Sequence, residues 1–308
     1  MARGVTRSGR GEVLEVGGRQ VRLTNWDKVY WPDEGITKGD LVRYYLELAE
    51  TVLPHVAGRP LTLHSFPDGI HGPDFYRRQV PKNAPPWLRR WRYRPAESER
   101  EVTETPVVED AAGLVWLVQT GTVELHPWTC RIDRIDRPDY AVFDLDTWDA
   151  DAFDRVLRTA VRLREALSRL GVRGYPKTSG GDGLHVFVPL ERRYTHDQVR
   201  EWVKAVGERL ERAYPGEVTV RSGRDAPREA VFLDYAQNAI AKSTAAAYSV
   251  RPRPGAPVSM PLAWEEVEAG RVRPGDFTLR NAVERVRRRG DLFRPVLEDR
   301  QRLPLKAL

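Results

Sequence analysis

The stretch Ala141-Val142-Phe143-Asp144-Leu145-Asp146 decides how the rest of the chain is read. β-formers lead into two acids two residues apart, so the segment reads as a strand. Side chains at i and i+2 of a strand point to one face. Asp144 and Asp146 therefore stand side by side. Two bare carboxylates that close repel, and each pushes the other's pKa up. A hard divalent cation relieves that repulsion, and oxygen ligands of this kind suit Mg²⁺ or Mn²⁺. The plain alternative is a strand end with two exposed acids.

Outward from this strand the pattern alternates. A helix over residues 151–170 carries Val156, Leu157, Ala160, Val161, Leu167 and Leu170 on one stripe. A strand over 183–189 follows, then a helix over 196–213 with Val199, Trp202, Val203, Val206 and Leu210. Strands over 216–221 and 230–235 close the unit. This β-α-β-α-β-β order predicts an α/β or α+β palm with helices on one face.

Upstream, residues 12–24 read as a hairpin with Gly17-Gly18 at the turn. Thr37 opens a helix, with Asp40 as its capping-box partner and Pro54 at its close. Residues 59–95 are rich in Pro, Arg and aromatics and read as loops and short strands. Residues 114–125 mix a short helix or strand with a second strand. Past Pro252 the chain is irregular until a basic helix near 278–289. No internal repeat and no long linker is visible.

Composition sets bounds. The 308 residues suffice for one large domain or two small ones, and 41% are hydrophobic. No apolar run approaches the roughly 18 residues of a membrane-spanning helix. The N-terminal stretch Met1 to Gly18 is basic and Gly-rich with no apolar core, unlike a secretory signal. One cysteine, Cys130, rules out an internal disulfide and fits a reducing cytoplasm. Nothing has zinc-ligand spacing. The net charge of +6, mostly arginine, suits a polyanion partner; a GC-rich genome would leave the same bias.

Four constellations carry chemistry. Asp234 ends the strand over 230–235 and lies beside Asp144 and Asp146 if that strand is their neighbour. Three such acids hold two metals about 3.5–4 Å apart, activating a 3′-hydroxyl and stabilising leaving pyrophosphate. The alternative is that Asp234 starts a turn with Asn238. Second, the small residues in Lys177-Thr178-Ser179-Gly180-Gly181-Asp182-Gly183-Leu184-His185 let backbone N–H groups wrap an anion. Ser179 adds a hydroxyl, and His185 a donor at the head of the next strand. The alternative is a tight turn; no Walker A lysine follows. Third, Lys242, Arg251 and Arg253 follow Asp234 closely and suit a triphosphate, or else form a solvated basic edge. Fourth, Phe75 and Tyr76 precede Arg77 and Arg78, an order that stacks bases and holds phosphates, or else packs in a core.

With these residues in view, the chain resembles the polymerase domain of bacterial DNA ligase D, in the archaeo-eukaryotic primase superfamily. The match is nearly collinear from about Val21 to Leu292. It rests on Leu23-Thr24-Asn25-Trp26-Asp27-Lys28-Val29 with Trp31-Pro32, Gly58-Arg59-Pro60-Leu61, Phe75-Tyr76 and Glu124-Leu125-His126-Pro127-Trp128. It continues through Asp144-Leu145-Asp146, Ser179-Gly180, Gly183-Leu184-His185 and Tyr248-Ser249-Val250-Arg251. The resemblance implies an α+β fold: a primase-like core with an RRM-like palm sheet, flanking helices and an N-terminal α/β subdomain. It divides the chain into a disordered basic tail (1–10) and one catalytic domain (11–300). Within it fall an N-terminal part (about 11–135), a palm (about 136–255) and a C-terminal extension (256–308).

The resemblance implies roles by position. Asp144, Asp146 and Asp234 match metal-binding acids. Ser179, His185, Lys242 and Arg251 match nucleotide-phosphate contacts, with Gly180 and Arg253 beside them. Phe75 and Tyr76 match aromatics near the template and incoming base. Lys28 matches a residue holding the 5′-phosphate downstream of a gap, with Arg19 or Arg22 as second cation. Many relatives carry a lysine where this chain has Asp182, and Lys177 is a candidate to compensate. The basic residue before the third acid is Arg228 or Arg224.

The implied activity is template-dependent nucleotidyl transfer that fills gaps at double-strand breaks in non-homologous end joining. It prefers ribonucleotides, uses two Mn²⁺ or Mg²⁺ ions, and takes NTPs or dNTPs with broken or gapped 5′-phosphorylated DNA. Ku and a DNA ligase are the implied partners; no membrane is involved, and the setting is the cytoplasm, at the nucleoid. A primase that starts chains de novo, a non-catalytic end-binding module and a metal-dependent nuclease are the competing readings. Neither a ligase nor a nuclease module fits in 308 residues, so a stand-alone polymerase or an excised domain is expected.

Overall fold

The computed structural model describes residues 3–8, 11–94, 102–149, 152–222 and 226–305. Its first strands, β1 (Arg3–Ser8), β2 (Gly11–Val16) and β3 (Arg19–Leu23), make one antiparallel sheet. Gly17 and Gly18 turn the β2–β3 hairpin at φ 55° and 77°, the left-handed pair such a turn needs. Within the tail expected over 1–10 to be disordered, Arg3–Ser8 pair with β2, and residues 1, 2, 9 and 10 lie outside the described residues.

The pair β4 (Val29–Trp31) and β5 (Ile36–Thr37) leads into α1 (Lys38–Glu47). Thr37 accepts from the Asp40 N–H at 3.2 Å, and Asp40 accepts from the Thr37 N–H at 2.8 Å, completing the capping box. The helix stops at Leu48 rather than at Pro54, which falls inside α2 (Ala49–Val56). Then come β6 (Leu61–Ser65), β7 (Phe75–Arg77), β8 (Arg89–Tyr93), β9 (Thr103–Val107), the buried α3 (Ala111–Gln119) and β10 (Thr122–Pro127). Strands β10, β6 and β7 form a second sheet with β7 at its edge, and β8 pairs with β9.

The palm comprises β11 (Tyr140–Asp146), α4 (Phe153–Arg169), β12 (Tyr175–Thr178), β13 (Leu184–Pro189), α5 (His196–Ala213), β14 (Val218–Thr219) and β15 (Val231–Asp234). Its strand order is β12-β13-β11-β15-β14, antiparallel except for β14–β15. That is one strand more than the sequence pattern predicts. Strand β12 is short, carries Pro176 and sits at the edge, where a missing N–H costs least. Helix α4 buries Val156, Leu157, Ala160, Leu163 and Leu167, while Val161 and Leu170 at the stripe's margin are half-buried. Phe143 meets Trp202 of α5 edge to face at 5.5 Å. Its sequence neighbours Asp144 and Asp146 therefore face away from the helices.

Among the described residues, three short α-helices follow the palm: α6 (Trp264–Glu268), α7 (Ala282–Arg289) and α8 (Arg294–Glu298). Phe293, at the head of α8, packs on Phe187 of β13 at 5.0 Å. One apolar cluster runs from Leu14 to Leu303 and ties all these parts together. Among the described residues no helix is long and apolar enough to cross a membrane.

Candidate active site

Register sets the site. Across the ladders, Asp144 lies opposite His185 on β13 and Asp234 on β15, and Asp146 lies opposite Phe232. Directly opposed residues share a face, so the three acids, His185 and Phe232 all look away from α4 and α5. Asp144, Asp146, His185 and Phe232 line a cavity of about 430 Å³, joined by Ser179, Arg251 and Arg253.

Burial, then the charge of Asp234, raises Asp144 to about 7. Burial, then Asp144, does the same to Asp146. His185 Nε2 lies 3.0 Å from Asp144 Oδ1 but off the hydrogen-bonding line, so this buried oxygen has no donor. A buried, unsatisfied carboxylate oxygen in a mutually repelling pair is the donor set of a hard cation. The residues thus fit a divalent metal. No three His, Cys, Asp or Glu among the described residues are already gathered as a cage. Asp234 has its oxygens on the Ala236 N–H and Gln237 Nε2, both at 2.9 Å, so it also starts the turn offered as its alternative role.

Gly183 is required beside the acids. A Cβ there would meet Asp146 Oδ1 at 2.2 Å and the Leu145 carbonyl oxygen at 2.6 Å. In the loop before it, Ser179 Oγ accepts from the N–H groups of Gly181 (3.0 Å) and Gly183 (3.1 Å). Two N–H groups expected to wrap an anion are therefore used in shaping the loop. Gly180 holds φ 73° against the side chain of Arg251.

On the same face, on the β12 side of His185, lies a buried polar layer. Lys177 is fully buried, with Nζ 3.0 Å from His185 Nδ1 and 2.6 Å from Ser259 Oγ. Burial holds its pKa far below the ordinary lysine range. It orients His185 and does not replace a lysine in the loop. Asp182, at that loop position, instead receives Arg253 Nη1 on both oxygens at 2.9 and 2.8 Å. Arg251 donates to Glu124 and to the Ser179 carbonyl. Glu124 is 1% exposed and also accepts from His64 (2.7 Å) and His126 (3.0 Å). Burial alone would raise Glu124, but His126, His64 and Arg251 hold it well below the usual carboxylate range.

An adjoining cleft of about 1030 Å³ is lined by Tyr76, Arg78, Lys242 and Gln237. Lys242 thus lines this cleft and not the cavity of the acids. Phe75 and Tyr76 stand on edge strand β7, 42% and 60% exposed, instead of packing in a core. Tyr76 stacks on His64 at 3.8 Å, and Arg77 lies over Phe75 at 5.2 Å.

At the N-terminal end, Lys28 pairs with Asp68. The Lys38 N–H donates to the Lys28 carbonyl at 2.8 Å. Burial, then the charge of Lys28, lowers Lys38 to about 8. Arg19 is directed elsewhere: to the Trp87 carbonyl at 3.0 Å and Asp110 at 3.1 Å. Arg22 is exposed on β3, and Arg228 is exposed ahead of β15. Arg224 lies outside the described residues. Sequence reasoning omits Glu124, Lys38, Gln237 and Phe232 as site residues. Only the motif around Glu124 and the helix start at Lys38 carry any local signal.

Paired carboxylates on an antiparallel palm, faced by arginines and a histidine, define a metal-dependent nucleotidyltransferase with a primase-like α+β fold. The chain belongs to the LigD primase-polymerase domain family, whose model matches residues 37–293. It is 33% identical over 91% of its length to the multifunctional non-homologous end joining protein LigD of Mycolicibacterium smegmatis. It is 34% identical over 89% to the LigD of Mycobacterium tuberculosis. The chain covers 36% and 37% of those two relatives. The polymerase domain of M. tuberculosis ligase D, solved in complex with DNA, superposes with a TM-score of 0.85 at 32% identity. That match covers 91% of this chain and 99% of the other.

Proposed function

We propose that this chain extends a primer strand across gaps at broken DNA ends during non-homologous end joining, preferring ribonucleotides. The observation that carries this reading is three acids on one sheet face with Arg251, Arg253 and His185 on one side of them. The similarity to a DNA-bound polymerase domain supports DNA as the partner.

Asp144 and Asp146 would hold the cation, with Asp234 as third carboxylate. Mn²⁺ or Mg²⁺, as a pair of ions, would supply Lewis-acid activation of the 3′-hydroxyl and charge neutralisation on the pyrophosphate. Arg251 and Arg253 offer planar guanidinium groups to triphosphate oxygens. His185 presents Nε2 to the same space because Lys177 occupies Nδ1. Tyr76, exposed and seated on His64, offers a stacking platform for a template base. Lys28 and Lys38, adjacent through a backbone hydrogen bond, are the cation pair for a 5′-phosphate. Ku and a ligase would act alongside the chain at the nucleoid in the cytoplasm.

The test is extension of a gapped, 5′-phosphorylated duplex with each NTP and dNTP under Mn²⁺ or Mg²⁺. Templated addition, more efficient with NTPs, is expected. Absence of incorporation under every condition overturns the reading.

A further inference from the structure

Across the acids from the arginines, the cavity ends in two aromatic side chains with no part in the reading above. Phe232 stands opposite Asp146 in the β11–β15 ladder. Trp148, two residues past Asp146, stacks on Phe232 at 5.7 Å with 30° between the rings. Trp148 is 46% exposed and lines the cavity together with Phe232, Asp144 and Asp146. The turn beneath it is fixed by Thr147, whose hydroxyl donates to the Asp149 carbonyl and accepts from the Asp149 N–H, both at 3.2 Å. A single exposed apolar residue needs no explanation. An indole held on a second ring, in a fixed turn, at the edge of a cavity of carboxylates, is an assembled surface.

Strand order says what that surface meets. His185 and the Ser179–Gly183 loop lie on the β13 side of β11, whereas Phe232 lies on the β15 side. The acids separate a cationic wall from an aromatic wall. In an in-line displacement at phosphorus, the attacking and leaving oxygens occupy opposite sides. With the triphosphate at the cationic wall, the attacking 3′-hydroxyl and its nucleotide arrive from the aromatic side. We propose that Trp148, seated on Phe232, stacks against the 3′-terminal base of the primer strand and holds its hydroxyl toward the acids. The surface would be indifferent to base identity, because every base has a π-face. This rests on the polymerase reading and adds a positioning residue to it.

The test is a cycle between Trp148→Ala and removal of the terminal base, using primer–templates that end in a normal or an abasic 3′ nucleotide. Anisotropy gives binding, and single-nucleotide addition gives KM for primer and for nucleotide. On the normal primer, Trp148→Ala is expected to weaken binding and raise primer KM about tenfold, the scale of one base–aromatic stack. On the abasic primer it should change neither, and Trp148→Phe should recover most of the loss. Equal losses on both primers, or a raised nucleotide KM with primer KM unchanged, overturn the proposal. Wild-type protein that binds primer–template but never extends it sinks the polymerase reading instead. The binding arm of the cycle then still decides the stacking contact.

Discussion

Asp144 and Asp234 stand directly opposite each other on antiparallel strands, and the charge of Asp234 adds to burial in lifting Asp144 to about 7. The palm therefore holds carboxylates in a place that disfavours their ionised form. Such a face is most comfortable protonated or bound to a cation.

The first expectation concerns pH. Folded Asp144 and Asp146 titrate near 7, above the ordinary 3.8 they regain on unfolding. Between those values the folded protein binds more protons, so this contribution to stability is full below about 3.8 and is lost as pH rises through 7. Removing one charge with Asp146→Asn should thus raise the metal-free Tm more at pH 8 than at pH 5. Mn²⁺ should in turn stabilise wild-type protein more at pH 8 than at pH 5. Thermal scans at both pH values decide it, and a pH-independent difference between the two proteins refutes it.

Catalysis should depend on all three acids. Asp144→Ala, Asp146→Ala and Asp234→Ala are each expected to cut incorporation by at least about a hundredfold, the scale of losing one charge-stabilising group. Gel shifts should show DNA binding largely intact, since Phe75, Tyr76, Lys28 and Lys38 lie outside the cavity of the acids and Trp148 is left in place. Near-normal primer extension by any of the three removes that residue from the site.

Gly183→Ala should behave like an acid variant without touching a carboxylate. The new methyl group would overlap Asp146 and the Leu145 carbonyl, and a backbone oxygen cannot swing aside. Incorporation should collapse while binding of 5′-phosphorylated DNA persists. Gly275→Ala, with open space at its Cβ, is the control and should be silent in both assays. An active Gly183→Ala protein would mean that the loop is not packed on Asp146.

What the sequence reveals and what it hides follows from distance along the chain. Asp144 and Asp146 are legible because strand alternation fixes their common face, and α5 and the Thr37 cap because their signals are local. Glu124 is hidden because its partners His64 and Arg251 lie 60 and 127 residues away. Strand β12 is masked by Pro176 and the glycines after it. Lys177 shows the limit well. Its spacing allows a loop contact, but the ladder sets it opposite His185, and only the fold places its ammonium on that ring. Arg19 looks as suitable as any cation for the 5′ end until Trp87 and Asp110 are seen to claim it.

Glu124 carries a stability expectation. It is a buried anion with three cationic or hydrogen-bonding partners, and Arg251 would be left half-buried without its carboxylate. Breaking a buried pair from one side costs about 3–5 kcal/mol. Glu124→Ala should lose stability on that scale in urea, whereas Glu124→Gln, which can still accept a hydrogen bond, should lose less. Nucleotide KM should rise in both, because Arg251 loses its anchor. Unchanged stability in the alanine variant would show that the network is not closed in solution.

The last expectation concerns the 5′ end. Lys28 and Lys38 lie on the two sides of the β4–β5 turn, joined by the bond from the Lys38 N–H to the Lys28 carbonyl. Lys38 is nearly buried, donates Nζ to the Thr24 carbonyl at 2.7 Å, and is lowered to about 8 by burial and by Lys28. Two ammonium groups held together are relieved by a terminal phosphate, which carries more charge than an internal diester. A gap bearing a 5′-phosphate should therefore bind more tightly than the same gap with a 5′-hydroxyl. Lys28→Ala and Lys38→Ala should each remove most of that difference, and Arg19→Ala should leave it in place. Asp68→Asn should enlarge it by releasing Lys28. The preference should shrink with salt, because the contact is ionic. It should also shrink as pH rises through about 8, where unbound Lys38 loses its proton while the phosphate keeps both negative charges. Anisotropy titrations of the two gaps at pH 7 and pH 9 measure all of this. A preference that survives Lys38→Ala but disappears with Arg19→Ala would move the second cation to β3 and undo the pairing of Lys28 with Lys38.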